Sequence, residues 1–324
     1  MIKSIVYLRF YLFYLSIRIL IHNEILDLKY LYYSSTLAVF FVSVDLIYQF
    51  IFTTDLLGYE KSITNKIAGP FGDEGIAGGY LQRFSYIPLF GIIYFFGIKK
   101  KNNKILTLFI FIILILTGIL VSGNRMPLLL FIASLAAITF AYKSYRKVFL
   151  IMYLFAIILF SVAYKNNNQI NHYFLNGFNE VNKAFKLYTY RATNLGFDQN
   201  TRERSDYVHE FDNGIGTWKI YKFFGGGVKS YRYNCPNREI TLFERTTCNM
   251  HPHNYYLELL TELGLIGLIF FIFLVFNLFK TFFVIRDDEQ NYKLSLPFII
   301  LIFIELFPLR TSGSFFTTHV STVI

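Results

Sequence analysis

Charge is scarce in this chain. Only 16% of its 324 residues are Asp, Glu, Lys or Arg, against 54% hydrophobic residues, whereas a soluble domain carries charge at about a quarter of its positions. With a mean hydropathy of +0.43, the composition excludes an ordinary soluble enzyme and leaves a polytopic membrane protein. Other absences narrow the function. No Gly-rich phosphate loop of the Walker type and no zinc-like Cys/His spacing is present. No acidic cluster of the Asp-x-Asp kind shares a face with the candidate residues below, so no divalent metal is required and no cofactor is expected. No small-residue cleavage site follows the first apolar stretch, so a cleaved signal peptide is not expected. There is a single Trp beside 38 Phe and 25 Tyr, a mix that reflects biased composition rather than carbohydrate-stacking platforms.

What is abundant is apolar runs. Stretches long enough to cross roughly 30 Å of hydrocarbon fall at Ile5–Ile21, Leu31–Phe52, Tyr80–Ile98, Ile105–Val121, Pro127–Tyr142, Val148–Tyr164, Tyr255–Phe279 and Leu294–Leu309. The expectation is an all-α polytopic protein with about eight transmembrane helices; the first run, interrupted by Arg9 and Arg18, could instead lie at the interface. The net charge of +10 resides partly in short basic clusters, Lys99–Lys104 and Lys143–Lys147, between apolar runs. That is the pattern of cytoplasmic loops under the positive-inside rule, and nucleic acid is not an expected partner.

With those clusters in the cytoplasm, Thr53–Gly79, the Ser122–Arg125 turn and the Lys165–Asn254 loop face the other side. The last is roughly 90 residues long, a length that points to function or disorder, and its aromatic and Gly-rich stretches favour a small folded lid with short helices. The organisation expected is thus N-terminal membrane helices over 1–164, a large extracytoplasmic loop over 165–254 and C-terminal membrane helices over 255–324. The only two cysteines, Cys235 and Cys248, lie in that loop, where disulfides persist. A bridge between them is expected, with two free thiols the alternative.

The densest chemistry lies at His251-Pro252-His253-Asn254, where the loop meets the Tyr255–Phe279 run. An imidazole at a membrane rim titrates near neutral pH without the penalty of charging inside hydrocarbon. Pro252 fits the first turn of a helix, which would put His253 and Asn254 in the opening turn, beside free N–H groups that favour an anion. A neutral His253 there can accept a proton from an attacking hydroxyl; the plainer reading is an anchor at headgroup level. His251 is its neighbour. Gly264 and Gly267, three apart, read as a close-packing face for another helix. Glu258 and Glu262 share a face, and at its depth Glu262 calls for a cation or a water-filled cavity. Arg125, at the head of a membrane helix, is either a snorkelling anchor or a planar fork suited to phosphate.

Together these motifs resemble a known family. His253-Asn254-Tyr255-Tyr256-Leu257 followed by Glu262-Leu263-Gly264-Leu265-Ile266-Gly267 is similar to the signature of the O-antigen ligase and O-antigen polymerase superfamily. Ser122-Gly123-Asn124-Arg125, the Gly69-Pro70-Phe71-Gly72 turn, Thr201–Asp206 and Phe223–Arg232 resemble further family elements. The resemblance implies a GT-C-like fold, here shortened, since the family usually has more spans. It implies an inverting, metal-independent glycosyltransferase of the bacterial inner membrane with its large loop in the periplasm. The donor would be an undecaprenyl-diphosphate-linked glycan, and the acceptor lipid A core (ligase) or a growing glycan (polymerase), as in lipopolysaccharide or other polysaccharide biosynthesis. His253 would be the base, Arg125, Arg204, Arg202 and more weakly Arg232 the diphosphate ligands, and Asn254, Glu262, Gly264 and Gly267 supporting residues. Two other classes remain in view: a glycolipid flippase or transporter, against which stands the lack of an internal repeat, and a non-catalytic scaffold of a polysaccharide assembly complex.

Overall fold

A computed structural model describes residues 8–61, 66–141, 145–193, 206–239, 247–284, 289–308 and 314. Among them the chain is helical, and the only strand-like pairing is an isolated bridge between Thr54 and Glu60. In order the helices are α1 (Leu8–His22), α2 (Leu28–Phe52), α3 (Ala77–Phe84), α4 (Tyr86–Tyr94), α5 (Lys101–Val121), α6 (Arg125–Ala141), α7 (Arg146–Asn166), α8 (Asn168–Thr193), α9 (Asp206–Trp218), α10 (Tyr231–Asn234), α11 (Tyr255–Val284) and α12 (Glu289–Glu305). Four of them, α2, α5, α7 and α11, are long and apolar enough to cross a membrane. The protein is therefore a helical polytopic membrane protein. The other expected spans are shorter helices or, at Tyr80–Ile98, a pair.

That pair has a local cause. Pro88 has no N–H to give the Phe84 carbonyl and its ring crowds that position, so one helix ends at Ser85 and the next begins at Tyr86, with Pro88 in its first turn where an N–H is dispensable. Elsewhere ends are set by side chains. Asp27 caps α2 by accepting from the Lys29 amide at 2.8 Å, and Asn167 caps α8 by accepting from Gln169 and Ile170, each at 3.0 Å. The Lys165–Asn254 segment, expected to hold short helices, opens with the 26-residue α8.

The described chain forms two compact units. One comprises residues 23–176 and 287–305. Its core packs Leu46, Leu81, Phe90, Leu108 and Phe131, all fully buried. Gly118 of α5 lets that helix approach α2 closely, since a Cβ there would sit 3.3 Å from the Ser43 Cα. Within the same unit Arg83 of α3 donates to Glu305 of α12 at 2.8 Å, both buried. An ion pair so placed leaves an uncompensated charge if either member is lost.

The other unit comprises residues 1–22, 177–286 and 306–324, and its central element is an interrupted α11. At Gly264 the backbone leaves helical geometry with φ 72° and ψ −172°. The turn Lys222–Gly227 docks into the gap: Gly226 N–H donates to the Thr261 carbonyl (3.0 Å) and Gly227 N–H to Glu262 (2.9 Å), while Leu265 N–H donates to the Lys222 carbonyl (2.9 Å) and Ile266 N–H to Phe223 (3.2 Å). In an unbroken helix Leu265 would donate to Thr261 and Ile266 to Glu262. Four bonds to the turn replace those two.

The expected packing role of Gly264 and Gly267 is corrected accordingly. A Cβ on Gly264 would lie 2.2 Å from the Phe223 oxygen, so the close approach is by a turn and not by a helix. At Gly267 the obstacle is α11's own Leu263, whose Cβ would be 2.3 Å away. Gly264→Ala is expected to lower the melting temperature in detergent more than Gly58→Ala does. Both positions have φ in the left-handed region, a strain of roughly 1–2 kcal/mol, but Gly58 has nothing within 4 Å. Equal losses would show that the docked turn adds nothing to stability.

Candidate active site

The His motif sits just outside α11. Asn254 is the cap of that helix: its side-chain oxygen accepts from the Tyr256 amide at 3.0 Å and the Leu257 amide at 3.2 Å. Its amide nitrogen donates to the Pro308 carbonyl at 2.7 Å, and Tyr256 Oη donates to the Leu306 carbonyl at 2.5 Å. The helix mouth is thereby tied to the segment after α12. The expectation that Pro252, His253 and Asn254 open the helix is corrected. Pro252 and His253 precede it, and the Asn254 carboxamide occupies two of the first-turn amides that an anion would have used.

His253 has φ 48°, a left-handed backbone uncommon for a residue other than glycine and concentrated where function holds it. Its ring centroid lies 4.2 Å from that of His251. A carboxylate that interacts with it was not anticipated. Glu210, on α9, feels the charge of His253 and accepts from Asn249 Nδ2 through Oε1. Its Oε2 is buried and accepts no hydrogen bond among the described residues. Burial pushes the Glu210 carboxyl above the usual carboxylate range; His253, the Asn249 hydrogen bond and Arg238 pull it down, and Asp206 pushes it up. Buried Tyr231 is raised as well, by burial first and by Glu210 second.

Cys235 and Cys248 are joined in a disulfide. Arg238 braces it, donating through Nη1 to the Cys235 carbonyl at 2.8 Å and the Cys248 Sγ at 3.0 Å. His209 Nε2 and Asn213 Nδ2 of α9 lie 3.1 Å and 3.2 Å from the Thr247 carbonyl on the other side of the bridge. The bridge therefore fixes Asn249, which orients Glu210. Cross-linking of this kind stabilises by restricting the open chain.

Glu262 has a structural duty. Its Oε2 accepts from the Lys229 amide at 2.6 Å, and Arg232 of α10 is among the charges acting on it. Arg232 thus faces a carboxylate of its own protein. Buried Glu258 accepts from the Ser314 hydroxyl. Arg202 and Arg204 lie outside the described residues.

Arg125 is the first residue of α6, half-buried, after a turn in which Gly123 has φ 74°. Ser122 Oγ donates to the Ile119 carbonyl at 2.7 Å and accepts from the Asn124 amide at 3.3 Å. Two glycines of α3 were missed as part of this place. A Cβ on Gly78 would lie 2.4 Å from Ser122 Oγ, and one on Gly79 would touch Pro127 at 4.0 Å; the Gly78-Gly79 pair heading an apolar run was the signal. The Gly69–Phe71 turn hangs from α2, with the Gly69 amide donating to Gln49 Oε1 at 2.8 Å.

Glu210→Gln removes a group whose folded-state pKa lies above its unfolded value of about 4.3. Such a group contributes stability at low pH and loses it as pH rises from that value through the elevated one. The variant should melt with the wild type near pH 4 and above it at pH 7.5, read by Trp218 fluorescence in detergent. A wild-type advantage at pH 7.5 would mean that attraction between ionised Glu210 and His253 outweighs burial.

No curated protein matches the chain. The family profile described as O-antigen ligase matches residues 109–272, from the middle of α5 through the break in α11 and including Arg125, Glu210 and the His motif. That match spans half of the sequence, and the chain belongs to the O-antigen ligase family.

Proposed function

We propose that this protein transfers or polymerises a glycan carried on undecaprenyl diphosphate at the periplasmic face of the bacterial inner membrane. The observation that supports it most is the setting of His253: an imidazole in a left-handed backbone, against a second imidazole and interacting with the half-buried Glu210 carboxylate, at the mouth of an apolar helix. The proposed arrangement has about eight membrane segments, with the loop that carries Glu210 and the disulfide outside the cytoplasm.

In this reading His253 accepts the proton of the acceptor hydroxyl as its oxygen attacks the anomeric carbon. The bond from that carbon to the diphosphate oxygen breaks on the opposite face, giving inversion and releasing the carrier diphosphate. Glu210, close by, stabilises the imidazolium that results. Arg125, with Arg204 or Arg202, offsets the charge gathering on the leaving diphosphate, work suited to a guanidinium because its fork is planar and always ionised. Arg232 is the weakest of these ligands, given its place beside Glu262. The arginines do the work a divalent cation would do.

The acceptor is lipid A core or a growing glycan. Loss of a ligase leaves polymer off the core, whereas loss of a polymerase leaves a single repeat attached. Incubation of the purified protein with a labelled carrier-linked glycan and each acceptor should yield product with one of them. His253→Ala is expected to lower the rate by about 10²–10⁴-fold, and Arg125→Lys to fall short of wild type because an ammonium lacks the bidentate fork. Full activity in His253→Ala would remove the base from the scheme.

A further inference from the structure

The turn that docks into α11 carries a surface that the loop's chemistry does not use. Phe224 is 80% exposed and Phe223 63%, flanked by exposed Tyr221 and Ile220. Exposed Lys219 and Lys222 lie among them. No acidic residue occurs between Asp212 and Glu239, so the patch is apolar and basic together. Trp218 Nε1 donates to the Lys222 carbonyl at 2.8 Å and closes the turn.

Its level is fixed by the bonds to α11. From Tyr255 to Gly264 that helix is largely buried within the protein, whereas from Leu265 onward its apolar side chains are exposed: Leu265, Ile266, Ile269, Phe270, Ile272 and Phe273. The segment Leu265–Val284 has about 20 residues and, at about 1.5 Å each, extends roughly 30 Å, the thickness of a hydrocarbon core. The break at Gly264 therefore marks one edge of that core. The carbonyls of Lys222 and Phe223 bond to Leu265 and Ile266, so the aromatic turn lies at that edge, continuous with the lipid-facing side of α11.

We propose that Ile220–Phe224 is a lipid-inserting wedge, its aromatic rings entering the upper acyl region and Lys219 and Lys222 meeting phospholipid phosphates. Apolar rings below and cations above are the pattern of an interfacial membrane anchor. The wedge holds the loop down on the bilayer beside α11. This rests on α11 crossing the membrane and not on the proposed reaction.

The test uses the full-length protein in vesicles of phosphatidylethanolamine and phosphatidylglycerol, with Phe224→Trp in a Trp218→Phe background. Tryptophan emission should be shifted to the blue, quenched by phospholipid brominated high on its acyl chains, and protected from aqueous iodide by on the order of fivefold relative to a free tryptophan amide. Phe224→Trp alone, read as the difference from the wild type, serves if loss of Trp218 impairs folding. Iodide quenching as strong as for the free amide would overturn the proposal by placing the turn in water. Protection from both quenchers would overturn it as well, because protein would then cover the patch.

Discussion

An interrupted membrane helix must find partners for the backbone groups it exposes. At Gly264 two helical bonds are lost, and each amide or carbonyl left unmatched away from water would cost roughly 2–7 kcal/mol. Thr261, Glu262 and Gly264 are buried within the protein, away from water, and the protein supplies another piece of its own chain. The Lys222–Gly227 turn takes both freed carbonyls and both freed amides. Its glycines are a steric necessity: a Cβ on Gly225 would fall 2.4 Å from the Glu262 oxygen. The break and the turn require each other.

That mutual requirement extends outward to the site. Glu262, two residues before the break, holds the amide of Lys229 and so fixes the chain just before α10. Next after α10 comes Cys235, bridged to Cys248, and Asn249 beyond the bridge orients Glu210. Alongside, α9 is pressed against α11 where Gly214 meets Leu257, at 3.0 Å from a would-be Cβ. His253 is therefore surrounded by groups positioned through the docked turn and the disulfide. In the proposed reaction, a base held this way approaches its proton without the reorganisation that a mobile loop would need.

Much of this was legible in the sequence, and the limits have physical causes. Apolar runs announce helices because burial or lipid is the only place for such surface, and α2, α5, α7 and α11 follow them to within a few residues. The Ser85 break was available from Pro88. Gly264 was ambiguous, because a glycine that admits a neighbouring helix and one that ends helical geometry look alike in a line of residues; what decides is Phe223–Gly227, some forty residues earlier. Asn254 could be read as part of the first turn or as its cap, and only the paired bonds to Tyr256 and Leu257 distinguish them. Glu210 carried no signal. It is one acidic residue on a loop helix, brought to His253 by long-range packing.

In the proposed scheme the position of His253 also bears on how one site can serve a lipid-borne and a water-borne partner. Placed before the helix cap, His253 keeps the geometric precision of a helix end while staying on the aqueous side of the boundary that Gly264 marks. Between His253 and that boundary lies the buried first part of α11, whose Glu258 and Glu262 are committed to Ser314 and Lys229. Those carboxylates are spent on holding chain segments in place. In the proposed scheme the acid–base work falls to His253, which has the His251 imidazole 4.2 Å away, centroid to centroid, and interacts with the Glu210 carboxylate.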